Sequence, residues 1–311
     1  MAYSLLSKRA ITICGCIISS AIFSSCAFNG MFFQPDRLPK GIKEITTYNR
    51  DTNDTGKIMF AGSSYQPVFM NGKGDTINPG YKIQSCFFKS TSGNMLNGWM
   101  LTPQDMPVKA TLLHLHGNGG NILNQFRLID NLVTRGYQVF MFDYSGYGYS
   151  EGHPTVHNNL MDGISALNYL VERPDVKGTK IFIYGQSLGG HLSAVVAEKA
   201  QDKIDGLIME GAFSTRKDIA AHMARKMYVP GFLARILVTQ PYSALKSVQH
   251  LQKPILFIHS KEDKVCPYIQ GRKMFIYASP QKSFYAVDGP HIRAVRMYPD
   301  SIATKMQALF N

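Results

Sequence analysis

The feature that most constrains this chain is a series of short apolar runs separated by longer amphipathic stretches. "ATLLHLHG", "YQVFMFDY", "KIFIYG", "GLIMEG", "PILFIHS" and "SFYAVDG" follow one another between Ala110 and Gly289. Each is rich in Val, Ile, Leu or Phe, the composition of a strand covered on both faces. Between them lie helix candidates such as "ILNQFRLIDNLVTRG", with Gly136 as a C-terminal stop. Strand alternating with helix implies right-handed crossovers and a parallel sheet. Two further strands, "YKIQSCFFKS" and "NMLNGWMLTP", flank a Thr-Ser-Gly turn and form an antiparallel N-terminal edge. The expected fold is therefore α/β: a doubly wound, mostly parallel, eight-stranded sheet.

The remaining length needs a different account. The chain has 311 residues, 45% of them hydrophobic, enough for a sizeable core and too many for a disordered chain. No run reaches the roughly 18 apolar residues of a spanning helix, which excludes a polytopic membrane protein. Residues 1–25 read as an export signal: Lys8 and Arg9, an apolar stretch from Ala10 to Phe23, then small residues. The ending Phe23-Ser24-Ser25-Cys26 resembles a bacterial lipobox, which implies lipidation of Cys26 and an exported, membrane-anchored protein on the periplasmic or outer-membrane face. A plain cleaved signal and an uncleaved anchor are the alternatives. Residues 26–80, rich in Asn, Gly, Asp, Thr and Pro, read as a tether and an irregular extension. Residues 81–311 form the domain. Of the five cysteines, Cys86 and Cys266 remain inside it, and their spacing suggests neither a disulfide framework nor a metal site.

The chemistry centres on "KIFIYGQSLGGHLSAVVAEKA", where Gly185-Gln186-Ser187-Leu188-Gly189 sits between a strand and a helix. That G-x-S-x-G context is the one a nucleophile elbow requires, with small residues beside a tight turn and a helix N-terminus behind the serine. A serine needs a base. His114, His116, His153 and His157 precede Ser187, on the wrong side for the order serine, acid, histidine. His191 shares the nucleophile's helix, His259 lies in a strand, and His222 and His250 fall in helical segments. His291, in the loop "AVDGPHIRA" after the last strand, is left as the base. For the acid that orients it, Asp263 leaves a strand in "PILFIHSKEDKVCP"; Glu210, ending the preceding strand, is the rival. Asp288 is too near His291 in the chain. The strand ending in His116-Gly117-Asn118-Gly119-Gly120 offers an oxyanion loop, with the backbone N–H groups of Asn118 and Leu188 as donors. The G-x-G-x-x-G spacing of a dinucleotide site is absent.

With "HGNGGN", "DYSGYGYSEG", "YGQSLGG", "EGAFST", "HSKEDKVCP" and "DGPHIRA" in this order, the chain from Tyr81 onward resembles the α/β-hydrolase superfamily. It is especially similar to the small serine-hydrolase branch of membrane-associated esterases and protein depalmitoylases. The resemblance implies Ser187, Asp263 and His291 as the triad, Asn118 and Leu188 as the oxyanion hole, and hydrolysis of an ester or thioester without metal or organic cofactor. Two departures stand out: Ser145 occupies the place of an arginine in that branch's D-Y-R-G-Y-G motif, and Pro290 precedes the histidine.

About 40 residues separate "GLIMEGAF" from "PILFIHS", more than a plain crossover needs, and Pro230-Gly231 divides them. A small helical cap over about 214–250 is expected, lining an acyl pocket or meeting a membrane. The formal charge of +12 falls to +10 once Lys8 and Arg9 leave with the signal. Its even spread argues against nucleic acid and fits an anionic surface. The expected partners are a small acyl ester, thioester or lipid, and a membrane reached through the anchor; the sequence leaves the oligomeric state open. A serine peptidase or acyltransferase on the same scaffold, or a non-catalytic lipid-anchored binding module, are the competing readings.

Overall fold

The computed structural model describes residues 32–49 and 54–310. The export signal and Cys26 lie outside the described residues. A two-residue strand β1 (Gln34–Pro35) is followed by β2 (Glu44–Asn49), β3 (Asp54–Ala61) and β4 (Gln66–Met70), an antiparallel three-stranded sheet. The expected irregular extension is therefore corrected: between Glu44 and Met70 it contains three paired strands. Its strands are too short and mixed to stand out by periodicity. This sheet covers an edge. The Gln66 side chain donates to the Ile83 carbonyl at 2.7 Å and accepts from the Ser85 N–H at 2.9 Å, satisfying strand groups that would otherwise be open.

The main sheet contains β5 (Tyr81–Lys89), β6 (Met95–Pro103), β7 (Ala110–Leu115), β9 (Tyr137–Phe142), β10 (Ile181–Gln186), β11 (Gly206–Glu210), β12 (Ile255–Ser260) and β13 (Lys282–Val287). Between β7 and β9 lies the short β8 (Gly119–Gly120), which pairs with β1. The strand order is β13-β12-β11-β10-β7-β9-β6-β5; β5 and β6 are antiparallel and every other adjacent pair is parallel, apart from β6 against β9. The eight strands and the antiparallel edge are those expected from the sequence.

Alternation along the buried strands separates two cores. Phe182, Tyr184, Ile208 and Ile258 face one side, Ile183, Leu207, Met209 and Phe257 the other. The first side is covered by the segment after β8, which winds as α1 (Ile122–Gln125) and then as two 3₁₀ stretches ending at Gly136, rather than as one helix. Asp130 breaks the expected amphipathic face there: it is drawn inward, where it accepts from the Tyr81 hydroxyl at 3.0 Å. The second side is covered by α2 (Val156–Glu172) and α3 (Leu188–Lys199). Within the residues expected to form a cap, α4 (Arg216–Lys226) and α5 (Gly231–Leu237) pack together over Leu188 and Cys266, whereas α6 (Ala244–His250) packs on α3 as the crossover helix. The chain closes with α7 (Tyr268–Tyr277), α8 (Ala294–Met297) and α9 (Pro299–Phe310).

Ser145 has an account in this fold. Its N–H donates to Asp162 Oδ2 at 2.7 Å, and its hydroxyl accepts from Asn94 at 2.9 Å. The other Asp162 oxygen accepts from Ser90 at 2.6 Å and Ser92 at 3.1 Å. Hydroxyls and a backbone amide thus satisfy a buried carboxylate that has no ion pair among the described residues. Removing it strands several buried donors, so Asp162→Ala should lose about 3 kcal/mol in urea unfolding; a loss below about 1 kcal/mol would mean the network is not holding the β9 turn.

Candidate functional site

Parallel register sets the ends of the strands level. Leu115 pairs with Gly185, and Gln186 with Glu210, so the chain leaves β7, β10 and β11 at one edge of the sheet. Ser187 lies just beyond β10 with φ 55° and ψ −116°, a left-handed conformation that L-residues rarely adopt. The residues two positions to either side must be glycine. A Cβ on Gly189 would lie 1.9 Å from the Leu115 carbonyl oxygen, and one on Gly185 would lie 2.4 Å from the Gly189 oxygen. Helix α3 therefore begins almost in contact with β7, and the serine is the residue forced outward. Its N–H is held by the Glu210 carbonyl at 2.9 Å.

His291 Nε2 lies 2.9 Å from Ser187 Oγ, and its Nδ1 lies 2.6 Å from Asp263 Oδ2. Asp263 is buried, and its other oxygen accepts the N–H groups of Val265 and Cys266, both at 2.8 Å. A carboxylate anchored in this way fixes the tautomer with the proton on Nδ1, leaving the Nε2 lone pair for the serine hydroxyl. The three residues expected to act together are thus adjacent, although they are far apart in the chain.

Glu210, the rival acid, is used elsewhere. It accepts from Tyr184 at 2.8 Å, from Gln186 at 2.7 Å and from the Ala294 N–H at 2.8 Å, while burial raises its pKa against the pull of those bonds. Through Ala294 it holds the segment that follows His291. Glu262 holds the segment before it, accepting the Gly289 N–H at 2.9 Å. Pro290 sits within this tied loop, between Gly289 at φ 107° and the histidine, with Ile292 at φ 49° beyond. Gly211 completes the seat: a Cβ there would lie 3.1 Å from His291 Cε1.

The other histidines near the site are structural. Burial pushes His116 and His191 down to about 3 and His114 to about 4. Each has a fixed partner: His116 donates to the Gly117 carbonyl at 2.7 Å, His191 to Phe213 at 3.0 Å and His114 to Gln186 at 3.0 Å. His259 donates to the Cys266 carbonyl at 2.9 Å.

The oxyanion loop is fixed through its carbonyls. Tyr144 donates to the His116 oxygen at 3.0 Å, Tyr147 and the Gln34 N–H to Asn118 at 2.8 and 3.0 Å, and Gln125 to Gly119 at 2.6 Å. Among the described residues, the N–H groups of Asn118 and Leu188 donate to no protein acceptor. A Cβ on Gly117 would stand 3.7 Å from Ser187 Cβ, which places the loop against the serine. Sequence reasoning missed Tyr144 and Tyr147 as supports, though both stand in "DYSGYG". It also missed Gln34, which no pattern marks, and Cys266, a free buried thiol 3.9 Å from Ser187 Oγ. Cys86, the other cysteine in the domain, is also free.

Cap and site are joined by packing. Leu188 and Cys266 share a cluster with Ile219, Ala220 and Ala224 of α4, Ala234 of α5, and Phe32 from the N-terminal segment.

Residues 106–241 match the family profile described as serine aminopeptidase, S33. The protein YfhR of Escherichia coli (strain K12), itself uncharacterised, is 32% identical over 220 residues, covering 69% of this chain and 75% of YfhR. Protein bem46 of Schizosaccharomyces pombe is 31% identical over 190 residues, 60% of this chain and 62% of bem46. Among solved structures, the esterase Pf2001 of Pyrococcus furiosus superposes with a TM-score of 0.62 at 18% identity, over 74% of this chain and 90% of its own. That last likeness is one of fold. Together with the strand order, the elbow and the extent of the match to YfhR, these similarities make the chain a member of the α/β-hydrolase superfamily.

Proposed function

We propose that the protein is a serine hydrolase that cleaves carboxylic ester or thioester bonds through an acyl-enzyme on Ser187. The observation that carries this reading is the unbroken relay from Asp263 to His291 to Ser187, at 2.6 and 2.9 Å. Ser187 Oγ attacks the carbonyl carbon as its proton passes to His291 Nε2, and Asp263 stabilises the imidazolium that forms. The N–H groups of Asn118 and Leu188 receive the oxyanion. Collapse of the tetrahedral intermediate expels the alcohol or thiol, which takes the proton from His291. Water, deprotonated by the same nitrogen, then releases the carboxylic acid and restores the serine. The non-catalytic binding module is disfavoured by an intact relay, which a binding surface does not need.

A fluorophosphonate probe should label the protein and fail to label Ser187→Ala, whose kcat on a p-nitrophenyl ester should fall by about five orders of magnitude. Absence of labelling in folded protein would sink the enzyme reading. A peptidase is the second reading, favoured by the description of the matching family; matched ester, thioester and amide substrates over a range of acyl lengths decide it, and faster turnover of the amide would replace the ester reading.

The acid is separable as well. Asp263→Asn should lower kcat by about 10⁴-fold, because the imidazole loses the partner that holds its tautomer. Glu210→Gln should cost at least about a hundredfold less than that, since its carboxylate positions the loop after His291. The reverse ranking would make Glu210 the acid.

We further infer that Cys26 is lipidated and that the protein is exported and membrane-anchored, on the strength of the basic, apolar and small-residue pattern before it. Metabolic palmitate labelling should be lost in Cys26→Ser; unchanged labelling would refute the anchor.

A further inference from the structure

The outer face of the cap is apolar where a solvated face should be polar. In α5, Ala234 points inward and is fully buried, while Phe232 is 63% exposed, Leu233 41% and Ile236 74%. A short helix that packs a methyl group on its domain and turns its large side chains to solvent has the inverse of the usual amphipathic pattern. The turn before it continues the ridge: Met227 is exposed, and Tyr228 is 98% exposed. Tyr228 stands at φ 59°, in the left-handed place after α4 where glycine is the ordinary occupant. Its N–H reaches the Arg225 carbonyl at 3.1 Å, and the Val229 N–H reaches Ala224 at 2.9 Å. A bulky ring thus occupies a position that disfavours it and makes little use of burial there. Val265, half exposed, lies in the loop whose Lys264 carbonyl accepts from Lys226 and from His222 of α4.

The charge around this ridge has one sign. Arg225, Lys226 and Lys264 pair with no carboxylate among the described residues. Asp218, the one acid in α4 and α5, is already engaged by Arg235 at 2.7 Å and Lys273 at 3.0 Å. The N-terminal segment joins the domain on the buried side of the same cap. Phe32 packs against α4 beneath the Arg216 guanidinium, 4.1 Å from its ring. Cys26 is six residues earlier, so it lies at most about 22 Å from that contact.

We propose that this face of the cap docks on an anionic lipid bilayer. Tyr228, Phe232 and Ile236 enter the headgroup region, and Arg225, Lys226 and Lys264 meet acidic headgroups. A second copy of the chain suits the face less well, because a two-fold contact would bring these cations against their own equivalents. A bilayer supplies apolar depth and negative charge together. Docking of this kind requires neither turnover at Ser187 nor the anchor itself, so it stands or falls separately from the hydrolase reading.

The test uses the full chain carrying Cys26→Ser, in which a lipid on that cysteine contributes nothing. The protein should co-sediment with vesicles of equal parts phosphatidylcholine and phosphatidylglycerol, much less with phosphatidylcholine alone, and less at high salt. Adding Tyr228→Ser, Phe232→Ser and Ile236→Ser together should weaken binding about tenfold or more. Arg225→Gln with Lys226→Gln should weaken it about tenfold and reduce the preference for anionic vesicles. These positions are exposed, and thermal melts matching the parent establish that the variants fold. As an independent reading, Tyr228→Trp should shift its emission to the blue with anionic vesicles, against the constant background of buried Trp99. Equal binding by parent and variants, an unshifted emission, or self-association abolished by the apolar substitutions without any vesicle binding would each overturn the proposal, the last in favour of a second copy.

Discussion

Helix α3 begins so close to strand β7 that no side chain fits between them, and the site depends on that approach. The backbone of Gly189 lies against Leu115, Gly190 against Ala212, and Gly185 against the first turn of the helix. Ser187 pays for the closeness with a left-handed backbone, a strain on the order of 1–3 kcal/mol. The surrounding contacts hold it there: its N–H is bound by Glu210 and its carbonyl accepts from His191. The same geometry turns Oγ out of the sheet and leaves the first N–H of the helix unclaimed at Leu188, so the proposed nucleophile and oxyanion donor arise from a single backbone event.

Around this point, burial sorts chemically similar groups into different roles. His114, His116 and His191 lose the ability to take a proton near neutrality because desolvation disfavours their charged form. His291 remains partly open and lies 2.6 Å from Asp263 Oδ2, closer than the buried His259 Nε2 at 3.5 Å. The carboxylates divide in the same way. Asp263 turns an oxygen to the imidazole, whereas Glu210 spends both of its oxygens on Tyr184, Gln186 and a backbone amide. Each loop at the edge of the sheet is then held by groups that take no part in the relay: Tyr144 and Tyr147 for the oxyanion loop, Glu262 and Glu210 for the histidine loop.

The sequence made the sheet legible because strands buried on both faces must be continuous apolar runs, and six such runs are visible beside the two strands that flank a Thr-Ser-Gly turn. It made the elbow legible because only glycine tolerates its contacts. Other parts were hidden for equally physical reasons. The meander of β2, β3 and β4 is short and covers an edge, so no strong period marks it. The stretch after Asn121 has an amphipathic composition, yet Asp130 turns inward to Tyr81 and the chain tightens into 3₁₀ turns. Gln34 supports Asn118 through its backbone, which no side-chain pattern reports. The breadth of the cap was overread because α6 has the same mixture of apolar and polar residues as α4 and α5, and only its contact with α3 shows that it belongs to the crossover.

What the sequence determined by itself was the order of strands and helices, the identity of the serine, and a short set of possible partners for it. Local spacing is sufficient for these, because strand periodicity and the glycines of the elbow act over a few residues. The tertiary structure decided which acid faces His291, how Ser145 and Asp162 satisfy each other, and which side of the cap is left uncovered. Those outcomes depend on groups that meet across the whole chain: Asp263 with His291, Asp162 with Ser90 and Ser145, Phe32 with Arg216. Hydrogen-bond direction and burial act through space, and only the folded chain sets those distances.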